Sequence, residues 1–454
     1  MPGPKAAIEK SVTKLEYGFD KLASPFQKFI KDQTTSSLLL LLCTITALAI
    51  ANSPYAARYA AFFHTEFGFL LGELSFKMSL THWINDGLMT LFFFLLGIEM
   101  KREMLVGEIN KAETFTPIAF AALGGMIVPA AIFLLFNQGT PFAQGWGIPM
   151  ATDTAFAIGI LVMLGKRMPA AAFAFLTALA IIDDLGAILV IALLYSESIR
   201  IFNLGISALL LSLLILCNII GIRRPSTYIG LGILVWTAML NSGIHTTIVG
   251  ILVAITIPAR SREDPTWFIS YITDLLQRFQ QMEGEREKGS PMLGEANQHA
   301  VIEKIQTATE DASTPIRRWE HAFEYPVALL ILPVFALANA GIPLEGVALA
   351  QIGTDPLAVG IFLGLVLGKC VGIAFFTWLA LRLGFGSLPE KLSMYHVFGL
   401  SLLGGMGFTM SIFITNLGFE GMPEVLISAK VSILLASLVA GISGYLWLRF
   451  VATR

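Results

Sequence analysis

The sequence predicts an all-α, polytopic membrane protein with twelve transmembrane helices, and three observations carry that expectation. Only 14% of the 454 residues are charged while 55% are hydrophobic, and a mean hydropathy of +0.73 suits surroundings that are themselves apolar over most of the surface. Apolar stretches of about 20 residues, the length that crosses a ~30 Å hydrocarbon core, begin near Ser37, Trp83, Phe115, Gly145, Ala170, Phe202, Ser226, Gly243, Ala322, Leu357, Ser393 and Glu424. With both termini cytoplasmic, 25 of the 30 Lys and Arg fall in cytoplasmic stretches and three in external ones, the bias that orients membrane proteins. A formal charge of −2 gives no reason to expect nucleic acid or an acidic partner.

The elements follow in order. Residues 1–36 form a cytoplasmic segment in which Ile8, Val12, Leu15, Phe19, Leu22, Phe26 and Phe29 recur at a 4-3 spacing with lysines between them, an amphipathic helix suited to the inner membrane surface. The run ending Ala49-Ile50-Ala51 imitates a signal-peptide cleavage site, but the preceding 36 residues make too long a leader, so it is the first span. Segments 1–8 fill 37–258, with an external hairpin near 67–80 whose partly alternating runs flank Gly72-Glu73. Segments seven and eight abut at Asn241 to Gly243. Residues 259–321 form a cytoplasmic loop with two polar helical patterns split by Gly289-Ser290-Pro291, read as a solvated linker with a regulatory arm as the alternative, and 322–454 hold segments 9–12. Cys43, Cys217 and Cys370 all lie in apolar runs and read as packing residues rather than a disulfide framework.

A charge at the centre of a spanning helix costs ~3 kcal/mol on insertion scales, so each marks an aqueous path, an ion site or a buried pair. Asp183 and Asp184 are residues 11 and 12 of the 23 from Phe173 to Tyr195, and Lys369 is the thirteenth of 25 from Leu357 to Leu381. All three sit at midplane depth. Neighbouring helical positions point ~100° apart, so one aspartate can line a cavity while the other meets a neighbouring helix. Pairing Lys369 with one of them lowers the cost of burying both, and the second anion then asks for a cation or a proton.

Segment 4 is interrupted around Gly147-Ile148-Pro149 and carries Asp153 between Thr152 and Thr154; segment 11 is interrupted at Gly404-Gly405-Met406-Gly407-Phe408-Thr409. Segments 3–5 and 10–12 are thus triplets with a broken middle member, and seven spans of separation make them run in opposite senses. Such an inverted-topology repeat points to the binding site of a secondary transporter. Half-helix ends expose partial charges of about ±0.5, which Asp153 is placed to offset at N-termini and Lys369 at C-terminal carbonyls. Thr152, Thr154 and Thr409 add oxygen ligands.

The stretches Trp83-Ile84-Asn85-Asp86-Gly87-Leu88-Met89, Ala151 to Ala157, Ala178 to Gly186, Leu367-Gly368-Lys369 and Gly407 to Phe413 resemble the NhaA family of bacterial Na+/H+ antiporters, in which the inverted repeat is itself a family property. The resemblance covers about Ser37 to Arg449. It implies that Asp184 and Asp183 are the cation and proton carboxylates, that Asp153 and Lys369 compensate charge at crossed, unwound helices with Thr152 beside them, and that Lys369 pairs with Asp183. It further implies that Glu99, Arg102, Glu103 and Glu320 belong to a cytoplasmic pH-responsive funnel, that the hairpin forms a homodimer, and that the protein sits in the bacterial inner membrane with both termini cytoplasmic. The sequence departs from shorter members in the long 259–321 stretch and in having Glu324 where a histidine can occur.

The residue chemistry agrees with that resemblance. Na+ and Li+ are hard cations that prefer the oxygens Asp183, Asp184, Thr152 and freed carbonyls provide. Protons bind the same carboxylates, so the site holds either cargo but not both, and competition with alternating access is antiport. Exchange of two protons for one cation would be electrogenic, exporting Na+ or Li+ while protons enter, and would serve sodium and pH homeostasis. A sodium-coupled symporter or cation channel on the same scaffold is the alternative. An intramembrane aspartyl protease would need carboxylates converging from separate helices, and an ATP-driven pump needs a phosphate loop whose spacing Gly364 to Lys369 misses by one residue. No enzymatic activity and no cofactor are expected; the ligands are Na+, Li+ and protons, and the surroundings are lipid.

Overall fold

The computed structural model describes residues 33–71, 74–107, 112–194, 199–285, 296–344, 353–389 and 391–450, so the amphipathic helix expected within 1–36 falls almost wholly outside the described residues. The chain is overwhelmingly helical. In order come α1 (Gln33–Ala51), α2 (Ala56–His64), an antiparallel hairpin of β1 (Glu66–Leu71) and β2 (Leu74–Ser79) in register Glu66 to Ser79, then α3 (Leu80–Val106) and α4 (Ala112–Asn137). A 3₁₀ segment (Ala143–Met150) precedes α5 (Thr154–Met163), followed by α6 (Ala170–Leu194), α7 (Ile201–Ile220), α8 (Pro225–Leu240) and α9 (Ile248–Thr256). Next are α10 (Pro265–Glu285), α11 (Ala296–Ala312), α12 (Pro315–Asn339), α13 (Pro356–Arg382), α14 (Met394–Gly404), α15 (Phe408–Gly418) and α16 (Pro423–Phe450).

Among the described residues, eight helical stretches are long and apolar enough to cross a membrane, and ten if two bent pairs each count as one span. The pairs are α1 with α2, bent by 115°, and α14 with α15, bent by 43°. Stretches seven and eight differ from the others: α8 has 16 residues and α9 only 9. Between them Gly243 turns the chain at φ 83°, so the helix expected to begin near Gly243 starts at Ile248. Within 259–321 the described helices α10 and α11 pack against each other, burying Leu275 of α10 and Val301 and Ala308 of α11.

Two local features set up the site. Short π-helical turns occupy Trp83–Leu88 in α3, Val327–Ile331 in α12 and Gly364–Gly368 in α13. The α12 turn lies between Pro326 and Pro333, whose missing N–H groups disturb the regular ladder. The α13 turn ends immediately before Lys369. In addition, α4 and α13 pack backbone to backbone: a Cβ on either Gly124 or Gly372 would collide with the other's carbonyl oxygen. This small-residue contact draws α13 onto α4 just one turn after Lys369.

Candidate functional site

Both breaks form where the sequence places them, with one adjustment. Gly147-Ile148-Pro149 remains helical as part of the 3₁₀ segment, and the extended residues are Ala151 to Asp153. Asp153 is the physical reason. Its extended backbone and carboxylate make it the N-cap of α5, accepting from the Phe156 N–H at 3.2 Å. The other carboxylate oxygen accepts from the N–H of Thr409 at 2.8 Å and from its hydroxyl at 2.6 Å, at the start of α15. One anion therefore closes the N-termini of two half-helices, where the dipoles favour negative charge, and the Asp153 N–H donates to the Met406 carbonyl in the opposite break.

The C-terminal ends are satisfied in a matching way. Ser411 of α15 donates its hydroxyl to the Ile148 carbonyl at 2.8 Å, and the Thr152 hydroxyl lies 3.0 Å from the Gly404 carbonyl at the end of α14. Lys369, expected near the C-terminal carbonyls, approaches the end of α14 by way of Thr152. Its ammonium pairs with Asp183 Oδ2 and donates to Thr152 Oγ1 at 3.0 Å, so it meets the end of α14 only through Thr152. An ammonium with a carboxylate in reach gains more from that pair than from a half-charge.

The two adjacent aspartates diverge, as helical geometry requires. Asp183 points at Lys369 and lies 2.9 Å from Thr152 Oγ1, while its other oxygen, Oδ1, has no hydrogen-bond partner. Asp184 is 1% exposed, and its Oδ1 likewise has none. Asp184 experiences the charges of Asp183, Lys369, Asp153 and Glu99. Four buried ionisable groups (Asp153, Asp183, Asp184 and Lys369, none more than 1% exposed) thus carry three carboxylates against one ammonium. Two carboxylate oxygens left without donors in a water-poor interior are matched chemically to a small hard cation or to protons. Thr154 opens α5, and the Thr409 hydroxyl is engaged with Asp153 rather than turned towards the aspartate pair.

The four residues read as a funnel come from the ends of two helices. Arg102 Nε reaches Glu320 Oε1 at 2.9 Å and Arg102 Nη1 reaches Glu103 Oε2 at 3.2 Å. Glu320 is also held by Arg317 at 3.1 Å, a partner sequence reasoning missed; its signal was the i, i+3 spacing of opposite charges on one helix. Glu99 precedes Arg102 by one turn of α3 and interacts electrostatically with Glu320, Arg102, Glu324 and Glu103 as well as with Asp184.

Comparison with known proteins gives a consistent result. The family model described as Na+/H+ antiporter 1 matches residues 27–448. The chain is 45% identical over 440 residues to Na(+)/H(+) antiporter NhaA 1 of Shewanella denitrificans, covering 97% of each chain. It is 44% identical over 433 residues to Na(+)/H(+) antiporter NhaA 1 of Saccharophagus degradans, covering 95% of this chain and 93% of that one. With Na(+)/H(+) antiporter NhaA of Sulfurimonas denitrificans the identity is 43% over 434 residues, 96% and 97% of the two chains.

Proposed function

The chain belongs to the Na+/H+ antiporter family that includes these NhaA proteins, and we propose that this multi-pass membrane protein exchanges sodium for protons at Asp183 and Asp184 by alternating access. The observation that carries the assignment is the divergence of the pair: Asp183 is held by Lys369 and Thr152, while Asp184 has an oxygen with no donor. Asp184 is the principal cation carboxylate, and Asp183 contributes its unengaged Oδ1 and a proton. Thr152 adds a neutral oxygen, and Asp153 keeps the two broken helices paired without entering the exchange.

The hydrogen bonds across the breaks, the Ser411 hydroxyl to the Ile148 carbonyl and the Thr409 N–H and hydroxyl to Asp153, support an inverted repeat of segments 3–5 and 10–12 within a twelve-span architecture, in which the short α8 and α9 supply the seventh and eighth spans. That repeat moves as one unit against the remaining spans, the usual division of labour in such transporters. Glu99, Arg102, Glu103 and Glu320 face the cytoplasm and tune the pH response. The protein resides in the bacterial inner membrane with both termini inside, exports Na+ or Li+ electrogenically against entering protons, and dimerises through the hairpin.

The test is the recovery of a pH-sensitive dye in everted vesicles after addition of Na+, Li+ or K+. Na+ and Li+ should release protons from the lumen and K+ should not, and Asp184→Asn and Asp183→Asn should each abolish the signal while leaving the protein folded. Normal exchange by Asp184→Asn would refute the assignment.

A further inference from the structure

At the end of the bundle opposite Arg102 and Glu320, three asparagines from three helices meet. Asn339, the last residue of α12, is 4% exposed. Its side-chain amide donates to Asn85 of α3 at 2.8 Å and to the Phe335 carbonyl at 3.1 Å, and its oxygen accepts from the amide of Asn416 in α15 at 2.6 Å. Both hydrogens and the oxygen of Asn339 are thereby used, as a buried amide requires. Immediately inside this junction the same three helices contribute Phe93, Phe335 and Phe413, each no more than 1% exposed, with ring centroids 5.6 Å apart for Phe93 and Phe413 and 6.3 Å for Phe335 and Phe413. The aromatic layer lies towards the midplane, because Phe335 and Phe413 each stand one turn inward of their asparagine.

We propose that Asn339 and Asn416 form a reversible latch that holds the external side of the ion path closed over the aromatic layer. The proposal rests on the alternating-access reading above. There, α15 belongs to the moving repeat while α3 and α12 belong to the frame, so the Asn339–Asn416 bond is the part of the junction that crosses between them. The bond between Asn85 and Asn339 stays within the frame. An amide contact suits a latch because its net worth is modest: once the path opens, water replaces the lost partner. An apolar seal alone would instead expose its rings at full cost. The strength of this bond helps set the ratio of inward-facing to outward-facing protein, and with it the apparent sodium affinity measured from each side. Asn339 and Asn416 are positioning residues that never need to touch the ion.

The experiment places a reporter beneath the latch. Met89 of α3 is fully buried one turn inward of Asn85, and Met89→Cys, in a protein whose Cys43, Cys217 and Cys370 are replaced by serine, is exposed in whole cells to a charged, impermeant methanethiosulfonate. Asn416→Ala should accelerate labelling by about tenfold, the factor that ~1.4 kcal/mol provides, and tighten apparent sodium affinity from outside while weakening it from inside. In case Asn416→Ala fails to fold, the paired substitutions Asn339→Cys and Asn416→Cys are bridged by a short bifunctional methanethiosulfonate; exchange should stop and return on reduction. Unchanged labelling with normal exchange, or continued exchange by the bridged protein, would overturn the latch. Neither result touches the carboxylate assignment, which stands or falls on Asp184→Asn.

Discussion

Replacing Lys369 by methionine removes a fully buried ammonium while keeping most of its stem. Lys369 and Asp183 are both 0% exposed, so the substitution strands a carboxylate in a water-poor interior. Breaking a buried pair from one side costs ~3 to 5 kcal/mol. Because Thr152 remains within 2.9 Å of Asp183, the lower end applies, ~3 kcal/mol. Asp183→Asn strands the ammonium instead and should cost a similar ~3 kcal/mol. The double variant leaves no unpaired charge, so it should be no less stable than either single one, against ~6 kcal/mol if the effects added. Thermal unfolding of the four proteins in one detergent at pH 8 measures this. The Lys369→Met defect should also shrink as pH falls, since a proton can neutralise the stranded carboxylate, whereas Lys369→Arg should retain stability but alter the pH profile of exchange. Additivity of the two single substitutions within ~0.5 kcal/mol would refute the pair as the element that makes Asp183 affordable.

Asp153→Asn should destabilise the paired breaks by about 2 to 4 kcal/mol, since it exchanges an anion shared by two helix N-termini for an amide whose hydrogens oppose those of Thr409; unfolding midpoints check it, and an unchanged midpoint would count against Asp153 as the shared cap. Glu320→Gln should shift the pH at which exchange reaches half its maximum while leaving its maximal rate within about twofold, because Arg102 and Arg317 lose the charge that both of them hold; dye recovery measured from pH 6 to 9 shows whether the profile moves. At the start of α10, which is not among the apolar helices of membrane-spanning length, the hydroxyl of Thr266 and the N–H groups of Trp267 and Thr266 hold the Asp264 carboxyl below its ordinary value. A lowered folded-state value means this cap contributes above the unfolded value near ~4 and is lost as pH falls through the folded one. Amide exchange at residues 266–268 should therefore be protected at neutral pH and released in acid, and protection that persists at low pH would contradict the cap.

The parts of the site that were legible in the sequence are those with a large energetic penalty. Asp183, Asp184 and Lys369 stand out because nothing but function or pairing sustains charge at midplane depth, and the breaks stand out because Gly, Pro and Asp interrupt otherwise uniform apolar runs. Which aspartate pairs with Lys369 was not legible from spacing alone; the resemblance to the family named Asp183, and the side-chain geometry agrees. Amides near the span ends carried no comparable signal. Asn85, Asn339 and Asn416 sit near span ends, where an amide costs little, and Asn85 and Asn339 are 254 positions apart. Ser411, whose hydroxyl donates to the Ile148 carbonyl, likewise carries no charge that would mark it within an apolar span. The start of the eighth helix was misplaced because apolar character continues through the turn at Gly243, and hydropathy does not distinguish turn from helix.

The most direct measurement of the central claim, that sodium and protons compete for Asp183 and Asp184, is a sodium titration of exchange in everted vesicles at several pH values. Shared occupancy requires the apparent sodium affinity to weaken as pH falls, by up to about tenfold per pH unit for each proton displaced, with a smaller change in maximal rate. An affinity that stays flat while the maximal rate collapses in acid would contradict competition at the aspartates and move the pH dependence to Glu99, Glu103 and Glu320.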